Sequence, residues 1–294
     1  MDYELYTLSD GRKLSYRIVG DPAHHPVVYL HGFGSSSAVM VEDRDVLSDL
    51  RLFVIAVDRP GYGKSDLHPG YSSEDFAEDL YQLLSCLGIK RCAVAGWSTG
   101  GMFAQEFARL YPQCVSSLTL LGSVLPLSQP EVERIMPVKW KIVRWIMLHF
   151  PGVCRYLFKR VSKRINQDID HAVMNRMEKM VHDDKEAAML FTELLKKATY
   201  DAYQYEGMAV YYEVLAMCKA DFEVRPSGCY PTIIWQGEDD HLWTVFTSRF
   251  LKQRYTKSRM FIIKDKGHFM FLSIWRDVLQ QIQEVSAPKE QNHM

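Results

Sequence analysis

Three clusters in the sequence carry groups able to do nucleophilic and acid–base chemistry: Gly96-Trp97-Ser98-Thr99-Gly100-Gly101, Gly237-Glu238-Asp239-Asp240-His241 and Lys266-Gly267-His268-Phe269. In the first, a short apolar run from Cys92 to Ala95 meets a glycine turn carrying one serine. A helical pattern follows, with Met102, Phe103, Phe107 and Leu110 on one face. Strand, tight turn and helix in that order are what a G-x-S-x-G nucleophile elbow requires. Only side-chain-free neighbours let strand and helix approach closely around a serine held in strained backbone. The helix N-terminus beneath that serine favours negative charge developing above it. A serine hydroxyl at its free pKa is a poor nucleophile, so Ser98 needs a base, and the base needs an orienting acid.

In an open parallel sheet such partners come from loops at the carboxyl ends of strands. The second cluster directly follows the apolar run Ile233 to Trp235, and the third directly follows Met260 to Lys264. The resulting chain order is Ser98, Asp240, His268. Asp239 competes with Asp240 as the acid. Two other histidines lie near these loops: His31, expected to shape its own loop, and His241, expected at a rim. Asp58 and Arg59 are expected to tie down their own turn through hydrogen bonds and an ion pair.

Positioning these groups requires a particular set of elements. Residues 3 to 8 and 12 to 19 flank Ser9-Asp10-Gly11, a hairpin signal. Pro26 to Leu30 reads as a buried strand, residues 38 to 50 as a helix, and Leu52 to Val57 as another strand. Ser73-Glu74-Asp75 opens a helix closed by Gly88, and Ser117 to Leu121 is the strand after the elbow helix. From about Val124 to Gly228 this alternation stops, and a helical block rich in Met, Trp, Tyr, Lys and Arg intervenes. About a hundred residues is too long for a loop, so the block is read as a helical insertion. Strand logic resumes at Pro231 to Trp235, then a helix near Val245 to Tyr255, a strand from Met260 to Lys264 and a helix from about Ile274 to Val285. The tail from Ser286 to Met294 is polar and expected to fray. Alternating strands and helices predict an α/β architecture with a mostly parallel sheet covered on both faces.

With these motifs in place, the sequence resembles the α/β-hydrolase superfamily over essentially residues 12 to 285. The resemblance rests on His31-Gly32-Phe33-Gly34, Asp58-Arg59-Pro60-Gly61-Tyr62-Gly63-Lys64-Ser65, the elbow, Gly237-Glu238-Asp239-Asp240 and Gly267-His268. It implies an α/β-hydrolase fold with an eight-stranded, mostly parallel sheet. The core would be residues 1–123 and 229–294, and residues 124–228 a helical cap. It selects Asp240 over Asp239 as the acid, and it assigns the oxyanion donors to the backbone N–H groups of Phe33 and Thr99. Two positions depart from the family pattern. Trp243 stands where a proline usually follows the acid, and Phe269 stands where a glutamate often follows the histidine. Haloalkane dehalogenases and epoxide hydrolases with a similar layout carry aspartate at the elbow, so Ser98 favours carbonyl chemistry.

The implied activity is a serine hydrolase, esterase- or lipase-like, acting through an acyl-enzyme on a small or medium hydrophobic ester. Thioester, iminopeptidase-like, carbon–carbon bond or acyl-transfer chemistry on the same triad are the alternatives. A binding or receptor role on this fold is the non-enzymatic alternative, against which the three intact groups argue. Candidate substrate contacts are Trp97, His31, Trp145, Met208 and Tyr212. No metal-ligand cluster and no phosphate-binding glycine loop is visible, so no cofactor is expected.

The 294 residues are 47% apolar with a formal net charge of −1, enough for a sizeable core and giving no argument for a nucleic-acid partner. Six scattered cysteines read as reduced thiols. The acidic start and the lack of a long apolar run lead to a cytoplasmic expectation. Between Arg134 and Arg164 there are nine Lys/Arg and no Asp/Glu, interleaved with aromatic and aliphatic residues. A solvated cap is the plain reading. Docking on an anionic membrane, or recognition of an acidic or lipid-like substrate, is the alternative.

Overall fold

A computed structural model describes residues 3–286. Beyond Ser286 the expected tail lies outside the described residues. The chain opens with β1 (Glu4–Thr7) and β2 (Lys13–Gly20), joined through Gly11 at φ 89°. β3 (His25–Leu30) follows, then α1 (Arg44–Asp49) and β4 (Leu52–Val57). The helix expected over residues 38 to 50 is shorter than that. Met40 is extended at ψ 127°, and the Asp43 side chain accepts from the Val46 N–H, so the helix starts only at residue 44. Next come α2 (Ser73–Cys86), β5 (Cys92–Trp97), α3 (Thr99–Leu110) and β6 (Val115–Leu121).

Seven described α-helices then intervene: α4 (Pro130–Ile135), α5 (Val138–His149), α6 (Pro151–Gln167), α7 (Ile169–Met177), α8 (His182–Leu190), α9 (Thr192–Tyr203) and α10 (Met208–Lys219). The fold closes with β7 (Thr232–Gly237), α11 (Val245–Arg254), β8 (Arg259–Ile263) and α12 (Phe271–Ser286).

The eight described strands form one sheet in the order β1-β2-β4-β3-β5-β6-β7-β8. The pairs β1/β2 and β2/β4 are antiparallel and the remaining pairs are parallel. Strand alternation divides the core in two. Val28, Leu30, Ile55 and Val57 face α2 and α3, while Val27, Tyr29, Val54 and Ala56 face α1 and α12. Central strands buried on both faces read as continuous apolar runs, which is why β4 is Leu-Phe-Val-Ile-Ala-Val. The first cluster includes Phe76, Leu80, Leu83 and Leu84 of α2, and the second Trp275, Val278, Leu279 and Ile282 of α12. The result is a rigid platform with the ends of β3, β5, β7 and β8 along one edge.

Candidate active site

Ser98 stands between β5 and α3 at φ 55°, ψ −120°, a backbone conformation that costs a non-glycine residue energy. Its neighbours show why the turn is glycine-rich. A Cβ on Gly96 would come within 2.3 Å of the Gly100 carbonyl, and one on Gly100 within 2.1 Å of the Leu30 carbonyl. The elbow thus closes by backbone-on-backbone contact. The Ser98 N–H donates to Leu121 O, and Ser98 O accepts from Val124 N, so the flanking strand end also holds the strained residue.

The loops after β7 and β8 deliver the partners. His268 Nε2 lies 2.8 Å from Ser98 Oγ, and His268 Nδ1 lies 2.7 Å from Asp240 Oδ2. A carboxylate only accepts, so this pairing places the imidazole proton on Nδ1 and leaves the Nε2 lone pair facing the serine hydroxyl. Asp240 is buried, and its other oxygen accepts from the N–H groups of Leu242 at 2.8 Å and Trp243 at 3.0 Å. Burial works to raise its carboxyl pKa. The charge and hydrogen bond of His268, with those two N–H groups, outweigh burial and hold it below the ordinary carboxylate value. Asp239 instead borders a neighbouring cavity, with its N–H donating to Lys266 O. His241 is exposed beside it.

Trp97 supports the histidine from beneath. Its indole N–H donates to His268 O at 2.8 Å, and its ring packs 4.3 Å from Phe271 and 5.0 Å from Phe269. The insertion contributes a second support, because Asp184 of α8 accepts from the Phe269 N–H at 2.7 Å. Where the resembled pattern often places a glutamate next to the histidine, this chain has Phe269 and receives a carboxylate from the insertion.

The loop carrying Phe33 is gripped by two arginines. The fully buried Arg59 donates to His31 O at 2.6 Å, Gly32 O at 3.2 Å and Thr99 Oγ1 at 3.3 Å. Its ion-pair partner is Glu213 of α10, at 2.5 Å, and Tyr62 OH donates to the same carboxylate. The expected ion pair between Arg59 and Asp58 does not form. Asp58 is occupied by Ser15 and by the hydroxyl and N–H of Ser37, because the turn points the two side chains apart. Burial pushes the Asp58 carboxyl up to about 6, and pushes Glu213 up to about 7 against the pull of Arg59. The second arginine, Arg176 of α7, donates to Gly34 O at 3.4 Å and Phe33 O at 3.5 Å, with its guanidinium 4.9 Å from the Phe269 ring. No carboxylate lies within 4 Å of it among the described residues.

Ser98 opens into a cavity of about 200 Å³ walled by Phe33, Trp97, Val124, Trp140, Trp243 and His268. Thr99, at the first position of α3, also borders it. Trp140 of α5 stacks on Trp243 at 5.5 Å, 24° from parallel. Arg176, Leu242 and His268 are shared with a second cavity of about 370 Å³, which adds Lys179, Asp184 and Asp239. Cavities of about 290 and 400 Å³ elsewhere contain none of these groups.

Several expected substrate contacts lie elsewhere. Trp145 is 55% exposed on α5 and stacks on His149, because residue 145 falls on the opposite side of the helix from the inward Trp140. Met208 and Tyr212 pack against the core beside Tyr211 and do not line the Ser98 cavity. His31 is fully buried between Arg59 and Tyr62, a structural position that also keeps it off the cavity wall. Trp140, Arg176 and Glu213 take part and were not anticipated as site residues. A tryptophan in a basic stretch, a cation in a helix and one acid among many carry no local signal.

A strained serine at a strand–helix elbow, with a histidine and an acid at later strand ends, defines an α/β-hydrolase arrangement. A family model described as the alpha/beta hydrolase fold matches residues 25–273, and the chain belongs to that family. Among solved structures, a thermophilic esterase from Thermogutta terrifontis superposes with a TM-score of 0.71 at 20% identity, over 98% of this chain and 100% of that one. An enol-lactonase from Burkholderia xenovorans LB400 gives the same score at 20% identity, over 96% and 99%. In sequence, the pimeloyl-[acyl-carrier protein] methyl ester esterase of Wigglesworthia glossinidia brevipalpis is 31% identical over 108 residues, 37% of this chain and 39% of that one.

Proposed function

We propose that the protein is a serine hydrolase that cleaves an ester-type acyl bond of a small or medium hydrophobic substrate. The observation that carries this reading is the unbroken hydrogen-bonded path from Ser98 Oγ through His268 to a buried, ionised Asp240. His268 Nε2 takes the Ser98 proton as Oγ attacks the substrate carbonyl carbon. The carbonyl oxygen becomes an oxyanion received by the N–H groups of Phe33 and Thr99. His268 then returns the proton to the leaving alkoxide, freeing the alcohol and leaving an acyl-Ser98. Water, deprotonated by the same nitrogen, attacks the acyl group, and the acid departs with Ser98 reprotonated. Asp240 holds the tautomer and stabilises the imidazolium.

Substrate size follows from the cavities. At about 200 Å³ the inner chamber is smaller than the ~300–1,000 Å³ typical of ligand pockets, which suits a short apolar acyl group against Trp140 and Trp243. The adjoining chamber, bordered by Arg176 and Lys179, then receives the leaving group. Residues 124–228 act as the cap that encloses both. The methyl ester esterase name of one matching relative is in keeping with ester chemistry.

A p-nitrophenyl ester series of increasing chain length tests the proposal, with the best turnover expected on short chains. Ser98→Ala should lower kcat by at least about 10⁴-fold, and a fluorophosphonate probe should label the parent alone. Turnover that survives Ser98→Ala would sink the mechanism. Neither turnover nor labelling in the parent would sink the esterase assignment.

A further inference from the structure

We infer that the α5–α6 hairpin is a docking surface for anionic lipid membranes. Of the nineteen large apolar side chains exposed among the described residues, nine lie within residues 138 to 161. On α5 they recur at helical spacing, as Val138, Ile142 and Trp145. On α6 they recur again, at Val153, Leu157 and Val161. At the corner between the helices Trp145 and Phe150 meet edge to face at 5.4 Å, both exposed. Apolar surface concentrated in this way on one pair of helices marks an interaction site.

Charge identifies the occupant. Of the nine cations between Arg134 and Arg164, only Lys159 has a carboxylate within 4 Å among the described residues, namely Glu206. Arg144 is turned inward to Cys218 O and Ser128. The exposed set includes Lys139, Lys141, Arg160 and Lys163, flanking the apolar stripes, whereas Arg155 turns its guanidinium over the Tyr211 ring. A chain of net charge −1 thus gathers unpaired cations on one hairpin. A second copy is a poor occupant, because a two-fold interface through this face would set cation against cation. An anionic bilayer satisfies both components: its headgroups take the cations, and the acyl boundary takes the apolar side chains of helices lying in the interface plane. No described helix is long and apolar enough to cross a bilayer, so the contact is peripheral. α5 also carries Trp140 at the wall of the Ser98 cavity, so one helix joins the docking face to the site.

Co-sedimentation of the full chain with vesicles of phosphatidylcholine containing about one-quarter phosphatidylserine tests this. Binding is expected at low ionic strength and is expected to weaken as salt passes ~0.1 M, where the Debye length is ~10 Å. Pure phosphatidylcholine vesicles should not bind. A charge variant (Lys139→Glu, Lys141→Glu, Lys163→Glu) and an apolar variant (Ile142→Ser, Trp145→Ser, Leu157→Ser) should each lower the partition coefficient by at least about tenfold. Thermal melts check that both stay folded, and all six positions are exposed. Absence of low-salt binding by the parent overturns the inference, as does equal binding to neutral vesicles or unchanged binding by either variant. Concentration-dependent dimerisation that the apolar variant abolishes, without vesicle binding, assigns the face to a second copy instead.

Discussion

The buried cluster of Arg59, Tyr62 and Glu213 offers a test in which stability and catalysis should separate. Glu213 is fully buried on α10, and Arg59 is equally buried beneath the loop that carries Phe33. In Glu213→Leu the guanidinium loses its counter-charge and the Tyr62 hydroxyl loses its acceptor. Breaking one side of a buried pair costs about 3–5 kcal/mol. Arg59 retains two backbone carbonyls and the Thr99 hydroxyl as acceptors, so the lower part of that range, about 3 kcal/mol, is expected. At ~2–4 °C per kcal/mol this lowers Tm by roughly 6–12 °C. The triple variant Arg59→Met, Tyr62→Phe, Glu213→Leu removes the unpaired guanidinium and the unpaired hydroxyl but strips the His31 carbonyl of its donor, so it should recover part of that loss. Catalysis should not recover with it, because the arginine grip on the His31 and Gly32 carbonyls, beside the N–H proposed as a donor at Phe33, is gone. One oxyanion donor is worth about 10²–10³ in kcat, so a tilted one should cost on the order of tenfold or more with KM little changed. Melts and p-nitrophenyl ester kinetics at pH 8, above the raised Glu213 value, read both quantities. The pH dependence has a definite sign. With its carboxyl raised from 4.5 to about 7, the native state holds this proton more tightly than the unfolded chain. The component of stability linked to this proton is therefore present at low pH and lost as pH rises through that window, and Glu213→Gln should flatten the slope. A triple variant that recovers both Tm and kcat would refute the positioning role of Arg59.

Three further outcomes follow from the site. Asp240→Asn keeps the shape of the acid but not its charge, and should lower kcat by about 10⁴-fold through loss of the correct imidazole tautomer. Because the Asp240 carboxyl is held below its ordinary value, its contribution to stability is present above the unfolded pKa and lost as pH falls through the folded one. Acid titration of the melting temperature should lose that component in Asp240→Asn. Trp97→Phe keeps the ring packing but removes the N–H that holds His268 O; a net ~0.5–1.5 kcal/mol predicts a drop in kcat of roughly 2- to 13-fold. Trp243→Ala removes a buried wall of the Ser98 cavity, which should shift the preferred p-nitrophenyl ester to longer acyl chains while costing about 3–5 kcal/mol of stability. An unchanged chain-length optimum would place the acyl group elsewhere.

What could be read from the sequence, and what could not, divides along a physical line. The serine elbow, the acid loop and the histidine loop are local: each is a strand end followed by a turn whose residues are dictated by backbone geometry. Gly96 and Gly100 are glycines because any Cβ would strike a carbonyl, so the pattern survives in the sequence. The mostly parallel sheet follows from alternating strand and helix patterns in the same way, whereas the strand order that places β4 between β2 and β3 does not. The insertion has no such grammar. Trp140 and Trp145 are five residues apart on one helix and equally aromatic, yet one walls the cavity and the other faces outward. The difference depends on which side α5 turns to Trp243, a fact of packing between segments a hundred residues apart. Glu213 and Asp184 are likewise single acids on insertion helices, and they become supports of the site only because helix docking brings them to Arg59 and the Phe269 N–H. The chemistry is thus encoded in short motifs of the sheet, whereas the shape of the chamber depends on how the inserted helices settle on it. The basic stretch in α5 and α6 fits the same division: its charge is visible in the chain, but only the packed structure turns its apolar residues outward beside those cations.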